Sequence, residues 1–302
     1  MTDTDWRSLY PFQSHKIDLG GHAYHYLDEG TGPAVLLVHG NPTWSFFWRN
    51  VILALRDRFR MIAVDHMGCG LSDKPQEYPY SLATHVKNLR SLVEMLDLQD
   101  TTLFGHDWGG AIGLGVAGEA PQRFPRIVLA NTAGFRSKLI PPTIRFCRTP
   151  LIGKWLVRRR NAFARAALKY ATVRPQDLSP AVKAGYLAPY DSYANRVAVM
   201  RFVQDIPLSP QHPSYETLLR IEQSLPALTD RPWKFIWGMQ DFCFTGVFLD
   251  RFLEFAPHAE VCRLEDAGHY VTEDACEDVI AAFAKFMTAH VDSSLPASAA
   301  RS

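Results

Sequence analysis

Asp107 stands in Gly105-His106-Asp107-Trp108-Gly109, after a short apolar run and before a stretch of small residues, Gly109-Gly110-Ala111-Ile112-Gly113. A strand, a sharp turn and a helix in that order make a nucleophile elbow, here with a carboxylate where such turns usually carry serine. Glycines beside the turn leave room where a side chain would strike the strand or the helix packed against it. Taken alone, the pentapeptide also fits a plain strand-to-helix turn with a capping aspartate. Two later residues weigh against that reading. Asp241 follows the run 234–237 and His269 sits in Ala267-Gly268-His269-Tyr270, which gives the chain order nucleophile, acid, histidine.

A carboxylate with an ordinary pKa near 3.9 is ionised at neutral pH and attacks without a base. Attack on an acyl carbonyl would yield an anhydride, whereas attack on a saturated carbon yields an alkyl ester that needs a second step. The expected substrate is therefore a halogenated or similarly electrophilic small molecule, not an ordinary ester or peptide. His269, oriented by Asp241, would activate water to hydrolyse the Asp107 ester. In His39-Gly40-Asn41-Pro42-Thr43-Trp44 the backbone N–H of Asn41, with that of Trp108, would form the oxyanion hole for this step. The Asn41 amide and the Trp108 indole N–H are also donors for a departing halide, at about 1.5–3 kcal/mol per hydrogen bond to an anion. Plainer roles are a turn residue for Asn41 and a cap-packing aromatic for Trp108. Asn131, at the end of the run 127–131, is an amide and cannot supply the triad carboxylate. Asp266 is read as a surface or turn carboxylate.

The elements that must position these residues follow from patterning. Apolar, β-branched runs at 34–38, 61–65, 101–104, 127–131 and 234–237 alternate with helical stretches, as in a buried, mainly parallel sheet. Residues 22–28 alternate and precede Glu29-Gly30-Thr31-Gly32-Pro33, which predicts an antiparallel strand at the sheet edge. Behind Ser81 as N-cap, Leu82, Val86, Leu89, Val93 and Leu96 share one helical face. Thr272 is expected to cap a last helix carrying Cys276, Ile280, Phe283 and Met287. The stretch between Asn131 and Lys234 is too long for a loop and predicts an inserted helical cap. The expected division is a core of residues 1–135 and 229–291, a cap over 136–228, and a tail at 292–302 without apolar periodicity.

Composition sets the bounds. The 302 residues are 47% hydrophobic and 21% charged, and 32 basic residues nearly balance 31 acidic ones, leaving no global case for nucleic acid or an anionic membrane. No run is long enough for a membrane span, and the N-terminal MTDTDWRSLYPF lacks the pattern of a secretory signal. Five cysteines without a CxxC pair read as isolated thiols. A cytoplasmic enzyme without metal or organic cofactor is expected. The segment Lys154-Trp155-Leu156-Val157-Arg158-Arg159-Arg160 mixes basic and apolar residues, either as an ordinary cap helix with a solvated basic face or as a contact for a membrane surface or a homo-oligomer partner.

HGNPTWSFFWRN (39–50), DHMGCGLSDKP (65–75), GHDWGG (105–110), WGMQD (237–241) and AGH (267–269) together resemble the haloalkane dehalogenases, over roughly residues 20–290. The resemblance implies an α/β-hydrolase fold, with a mostly parallel eight-stranded sheet flanked by helices and an inserted helical cap. It also implies alcohol and halide as products. The Asn–Trp pair, with the acid after the later strand, is similar to the third dehalogenase subfamily, which in turn resembles the β-lactone decarboxylases of long-chain olefin biosynthesis. Both groups share the Asp nucleophile, so these motifs leave the two open. Epoxide hydrolases share the Asp-Trp elbow but resemble this chain with two cap tyrosines at work; Tyr170, Tyr186, Tyr190, Tyr193 and Tyr215 supply candidates, while polar Asn41 argues the other way. A non-catalytic binding protein on the same fold is disfavoured by the complete nucleophile, acid and histidine set.

Overall fold

The structure, a computed structural model, describes residues 5–291. Its centre is a sheet of β1 (Ser14–Asp18), β2 (Ala23–Glu29), β3 (Ala34–Val38), β4 (Arg60–Val64), β5 (Thr102–Asp107), β6 (Arg126–Thr132), β7 (Trp233–Gly238) and β8 (Glu260–Leu264), in the order β1-β2-β4-β3-β5-β6-β7-β8. The first two strands run antiparallel and all later pairings are parallel. The expected mostly parallel, eight-stranded sheet is thus present. The strand foreseen at 22–28 is one place in from the edge, because β1 pairs along its outer side. Neither β1 nor β8 was located from the sequence: β1, Ser-His-Lys-Ile-Asp, buries only Ile17, and β8 fully buries only Leu264. An edge strand with one wet face lacks the apolar run that marks a central one.

Both faces of the sheet are covered. Leu36, Val38, Ile62, Val64, Leu103 and Leu129 pack into one core, and their neighbours Val35, Leu37, Met61, Ala63, Phe104 and Val128 into the other. The two-residue strand period places successive side chains on opposite faces. That is why these strands read as unbroken apolar runs.

The helices are α1 (Arg49–Leu55), α2 (Leu82–Met95), α3 (Trp108–Glu119), α4 (Pro142–Cys147), α5 (Ile152–Lys154), α6 (Ala162–Tyr170), α7 (Pro180–Leu187), α8 (Val197–Gln204), α9 (Tyr215–Ser224), α10 (Gly246–Phe255), α11 (Val271–Asp274) and α12 (Cys276–Val291). Helix α2 starts where foreseen: Ser81 Oγ accepts from the Thr84 N–H, and Leu82, Val86, Leu89 and Val93 are buried. Thr272 is not a cap but lies inside the short α11, and α12 begins separately at Cys276. Helices α4 to α9 all fall between β6 and β7, with a π-helical turn over Trp155–Arg159 after α5. A buried bidentate pair, Arg49 Nη1 and Nη2 to Glu273 at 2.6 and 2.8 Å, ties α1 to α11, and Tyr186 of α7 donates to the same carboxylate. The residues 292–302, read as a tail, lie outside the described residues.

Candidate active site

Asp107 is the last residue of β5 and the first turn of α3 follows at once. Its backbone, φ 52° and ψ −129°, lies where a side-chain-bearing residue is strained. Local packing holds it there. Thr132 Oγ1 donates to the Asp107 carbonyl at 2.5 Å, and a Cβ added to Gly109 would come within 2.0 Å of the Val38 carbonyl. Gly40 answers the same need from the facing loop, since a Cβ there would meet Asp107 Oδ1 at 2.0 Å. The elbow is therefore wedged between β3 and β6, and only glycine fits at its two closest approaches.

The carboxylate is met by donors. The Asn41 N–H donates to Asp107 Oδ1 at 2.7 Å, and the Trp108 N–H also hydrogen-bonds to it. His269, in the loop after β8, places Nε2 3.6 Å from Asp107 Oδ2. Its Nδ1 lies 2.8 Å from Asp241 Oδ2, and the other Asp241 oxygen accepts from the Cys243 N–H at 2.6 Å. All three side chains are nearly sealed from solvent. Burial pushes the Asp107 carboxyl above its ordinary range, offset in part by the His269 charge and the two N–H donors. Burial also draws His269 down, but the Asp241 charge and hydrogen bond, then the Asp107 charge, outweigh it and leave the imidazole raised. The arrangement can present an ionised nucleophile to an electrophile and set a hydrogen-bonded imidazole beside the bond that forms.

Of the residues singled out by sequence, Asp107, Asp241, His269 and the two backbone N–H groups meet at one point. The side chains of Asn41 and Trp108 line the same cavity. The Asn41 amide Nδ2 lies 3.3 Å from the Val199 carbonyl, and its Oδ1 is buried without a partner among the described residues. The Trp108 indole packs against Phe202 at 5.3 Å between ring centres. Asn131 cross-links strands: its Oδ1 accepts from Gly238 N and its Nδ2 donates to Gly238 O, at 2.8 and 3.0 Å. Asp266 is exposed and does not line the cavity.

Other contributors were not legible. Thr132 supports the elbow, and His106 lies with Nε2 2.9 Å from the His269 carbonyl, stacked on Phe47. Burial, then the His269 charge, holds His106 well below the usual imidazole range, so it serves as a neutral prop. Only the position of His106 inside the elbow motif hinted at it. Above the carboxylate lies a cavity of about 620 Å³, walled by Leu82, Phe135, Ile144, Phe163, Val203 and Phe248 among others. Among the described residues no lysine or arginine lines it, and the only titratable acid and base there are Asp107 and His269 beside the Cys and Tyr side chains. Of the five cap tyrosines only Tyr170 borders it; Tyr186 is bound to Glu273 and Tyr190 to the Thr43 carbonyl.

Residues 33–275 match the family described as alpha/beta hydrolase fold. The chain is 43% identical to a cis-3-alkyl-4-alkyloxetan-2-one decarboxylase of Shewanella oneidensis, over 93% of this chain and 90% of that one. Haloalkane dehalogenase 2 of Mycobacterium bovis is 36% identical, over 91% and 94%. Among solved structures, haloalkane dehalogenase DbeA from Bradyrhizobium elkani superposes with a TM-score of 0.86 at 26% identity, covering 94% of this chain and 100% of that one. Fold, elbow and relatives agree: the chain belongs to the α/β-hydrolase family, with haloalkane dehalogenases among its homologues.

Proposed function

We propose that this enzyme opens a cis-3,4-dialkyl β-lactone at Asp107 and releases an alkene and carbon dioxide. The observation that carries this is the higher identity, along nearly the whole chain, to the oxetan-2-one decarboxylase than to the dehalogenase, 43% against 36%. The apolar cavity over Asp107, formed under the insert at 136–228 that we take as the cap, suits two alkyl chains. An Asp107 oxygen attacks ring carbon 4 as the bond from carbon 4 to the ring oxygen breaks, inverting that carbon and freeing a carboxylate on carbon 3. The bond from carbon 3 to that carboxylate then breaks, its electron pair forms the double bond, and Asp107 departs from carbon 4 as a carboxylate. No water is consumed. Inversion followed by anti elimination is a net syn loss, which keeps the alkyl groups cis. The Asn41 and Trp108 N–H groups orient the nucleophile, and the imidazolium of His269, held by Asp241, stabilises Asp107 as it leaves.

A second reading shares the first step. The Asn41 amide and Trp108 indole beside the nucleophile favour haloalkane dehalogenation, in which halide departs and His269-activated water hydrolyses the Asp107 ester to an alcohol. The epoxide reading has lost support, because a single cap tyrosine borders the cavity.

Single turnover in ¹⁸O-labelled water separates the two, read by mass on the Asp107 peptide. The expected result with a long-chain cis β-lactone is alkene, carbon dioxide and unlabelled Asp107. Ester hydrolysis would place the label in the Asp107 carboxylate. No alkene from the lactone, together with bromide release and labelled Asp107 from a bromoalkane, would transfer the assignment to the dehalogenase reading.

A further inference from the structure

The chain between Lys138 and Tyr170 carries nine Lys and Arg and no Asp or Glu, in a protein whose total charge is only +1. Among the described residues the same short stretch holds six of the eleven large apolar side chains that are exposed: Leu139, Phe146, Leu151, Ile152, Trp155 and Tyr170, with Leu151 at 84%. Folding has not buried them, although the opposite side of α4 is well used, with Ile144 and Cys147 facing the cavity. Leu139 and Tyr170 are at once exposed and part of the cavity wall, so they mark its mouth. The basic and apolar stretch therefore reaches the entrance to the site at its two ends, Leu139 and Tyr170.

The cations are free to meet an outside partner. Among the described residues Lys138, Arg145, Lys154, Arg159, Arg160 and Lys169 are exposed and form no ion pair. Asp205, a carboxylate near Arg148, is turned inward to Ser214 and the Leu82 N–H. The Arg160 guanidinium lies 5.4 Å from the centre of the Trp155 ring, and Lys169 Nζ 5.1 Å from that of Tyr170, so charge and apolar surface are interleaved.

We propose that this face docks on an anionic phospholipid surface, with the apolar side chains of α4, α5 and the π-helical turn entering the interface and the cavity mouth opening toward the bilayer. Cations attract anionic headgroups while the apolar groups gain by leaving water, a combination that holds amphipathic helices in the interfacial plane. A second copy fits the face poorly, because an isologous contact would set this acid-free stretch against itself. An acidic protein surface would satisfy the cations but leave no reason for the exposed apolar side chains beside a cavity mouth. The docking stands apart from the reaction; only its use, admitting an apolar substrate without passage through water, rests on the reading above.

The test is co-sedimentation of the full chain with phosphatidylcholine vesicles with and without phosphatidylglycerol, at low and high salt. The wild type is expected to pellet with the anionic vesicles at low salt and to be released at high salt. The variant Lys154→Glu/Arg159→Glu/Arg160→Glu should lose at least about a hundredfold in partition, since each surface cation contributes about fivefold and the introduced carboxylates add repulsion. The variant Leu151→Asn/Trp155→Asn should bind more weakly while keeping its salt dependence. Both variants change exposed side chains, and unchanged thermal unfolding serves as the check that each is folded. Failure of the wild type to pellet, equal pelleting with both vesicle types, or full binding by the charge-reversed variant would overturn the proposal. So would a concentration-dependent dimer, formed without lipid and abolished by the charge reversal, because it would give the face to a second copy. Loss of vesicle binding with lactone turnover intact, or the converse, keeps the fate of the docking distinct from that of the reaction.

Discussion

Replacing Asp241 by asparagine distinguishes the two chemistries open to Asp107. Asp241 spends one oxygen on the Cys243 N–H at 2.6 Å and the other on His269 Nδ1 at 2.8 Å. An amide of the same shape has one acceptor and one donor end. The acceptor end keeps the Cys243 N–H, so the NH₂ faces Nδ1 and imposes the tautomer in which Nδ1 accepts and Nε2 carries the hydrogen. With the proton on Nε2, 3.6 Å from Asp107 Oδ2, His269 can still donate toward the nucleophile but cannot take a proton from water. Where the histidine must act as base, that change costs about 10⁴ in kcat. Where it only stabilises a leaving carboxylate, the loss is the difference between a charged and a neutral hydrogen bond, about 1–2 kcal/mol or roughly ten- to thirtyfold. Asp241→Asn is therefore expected to release bromide from a bromoalkane in one burst and then stop, while retaining several per cent of its alkene production from a β-lactone. The measurements are burst amplitude by halide release and steady-state carbon dioxide formation. A loss near 10⁴ in carbon dioxide formation would refute the passive role given to His269, and undiminished bromide turnover would refute the tautomer reasoning itself.

The pH profile should divide in the same way. Asp107 has its pKa raised by burial, so lactone turnover is expected to fall as pH drops through that raised value and the nucleophile protonates. His269 is also raised, by Asp241 and Asp107 against the pull of burial, so any hydrolytic step needing neutral imidazole should weaken on the acid side of a pKa above 6.5; the two limbs are read from kcat against pH with each substrate. Gly109→Ala forces a Cβ to within 2.0 Å of the Val38 carbonyl, and is expected to cost about 1–3 kcal/mol in denaturant unfolding and to abolish turnover by displacing Asp107. Glu273→Gln leaves the buried Arg49 without its anion and should cost about 3–5 kcal/mol by the same measurement, with Tyr186 and α7 loosened over the core.

The parts of the fold legible in the sequence are those where burial imposes a pattern. Strands β3 to β7 are covered on both faces and announce themselves as apolar runs; β3 matches its sequence boundaries at both ends. Thr102–Asp107 extends past the run read at 101–104 because Gly105, His106 and Asp107 pair with β6 despite their polar character. Asp107, Asp241 and His269 were legible because chain order and strand ends constrain them jointly. Thr132 and His106 were not, since a threonine supporting a backbone carbonyl and a histidine propping a loop have no spacing rule. Thr272 shows the opposite failure: an acceptable N-cap residue before an apolar period lies within a helical turn that ends at Asp274, so propensity was overridden by the Tyr186–Glu273–Arg49 contact that fixes α11.

The cavity lining bears on how far the intermediate can choose its own fate. In the proposed reaction, opening the lactone leaves a carboxylate on carbon 3, next to the carbon that bears the Asp107 ester and inside a wall that, among the described residues, holds no lysine or arginine. A carboxylate formed in such surroundings, with His269 already held between Asp241 and Asp107, is penalised. Breaking the bond to carbon 3 removes that charge as neutral carbon dioxide and returns it to Asp107, where the Asn41 and Trp108 N–H groups already wait. The same apolar wall is neutral toward an alkyl ester that lacks a neighbouring carboxylate, which can only wait for water and His269. One site can thus send two esters along different routes with no change in its residues. The difference lies in whether the substrate brings its own leaving group, and a cation introduced into this wall would remove the penalty and slow decarboxylation.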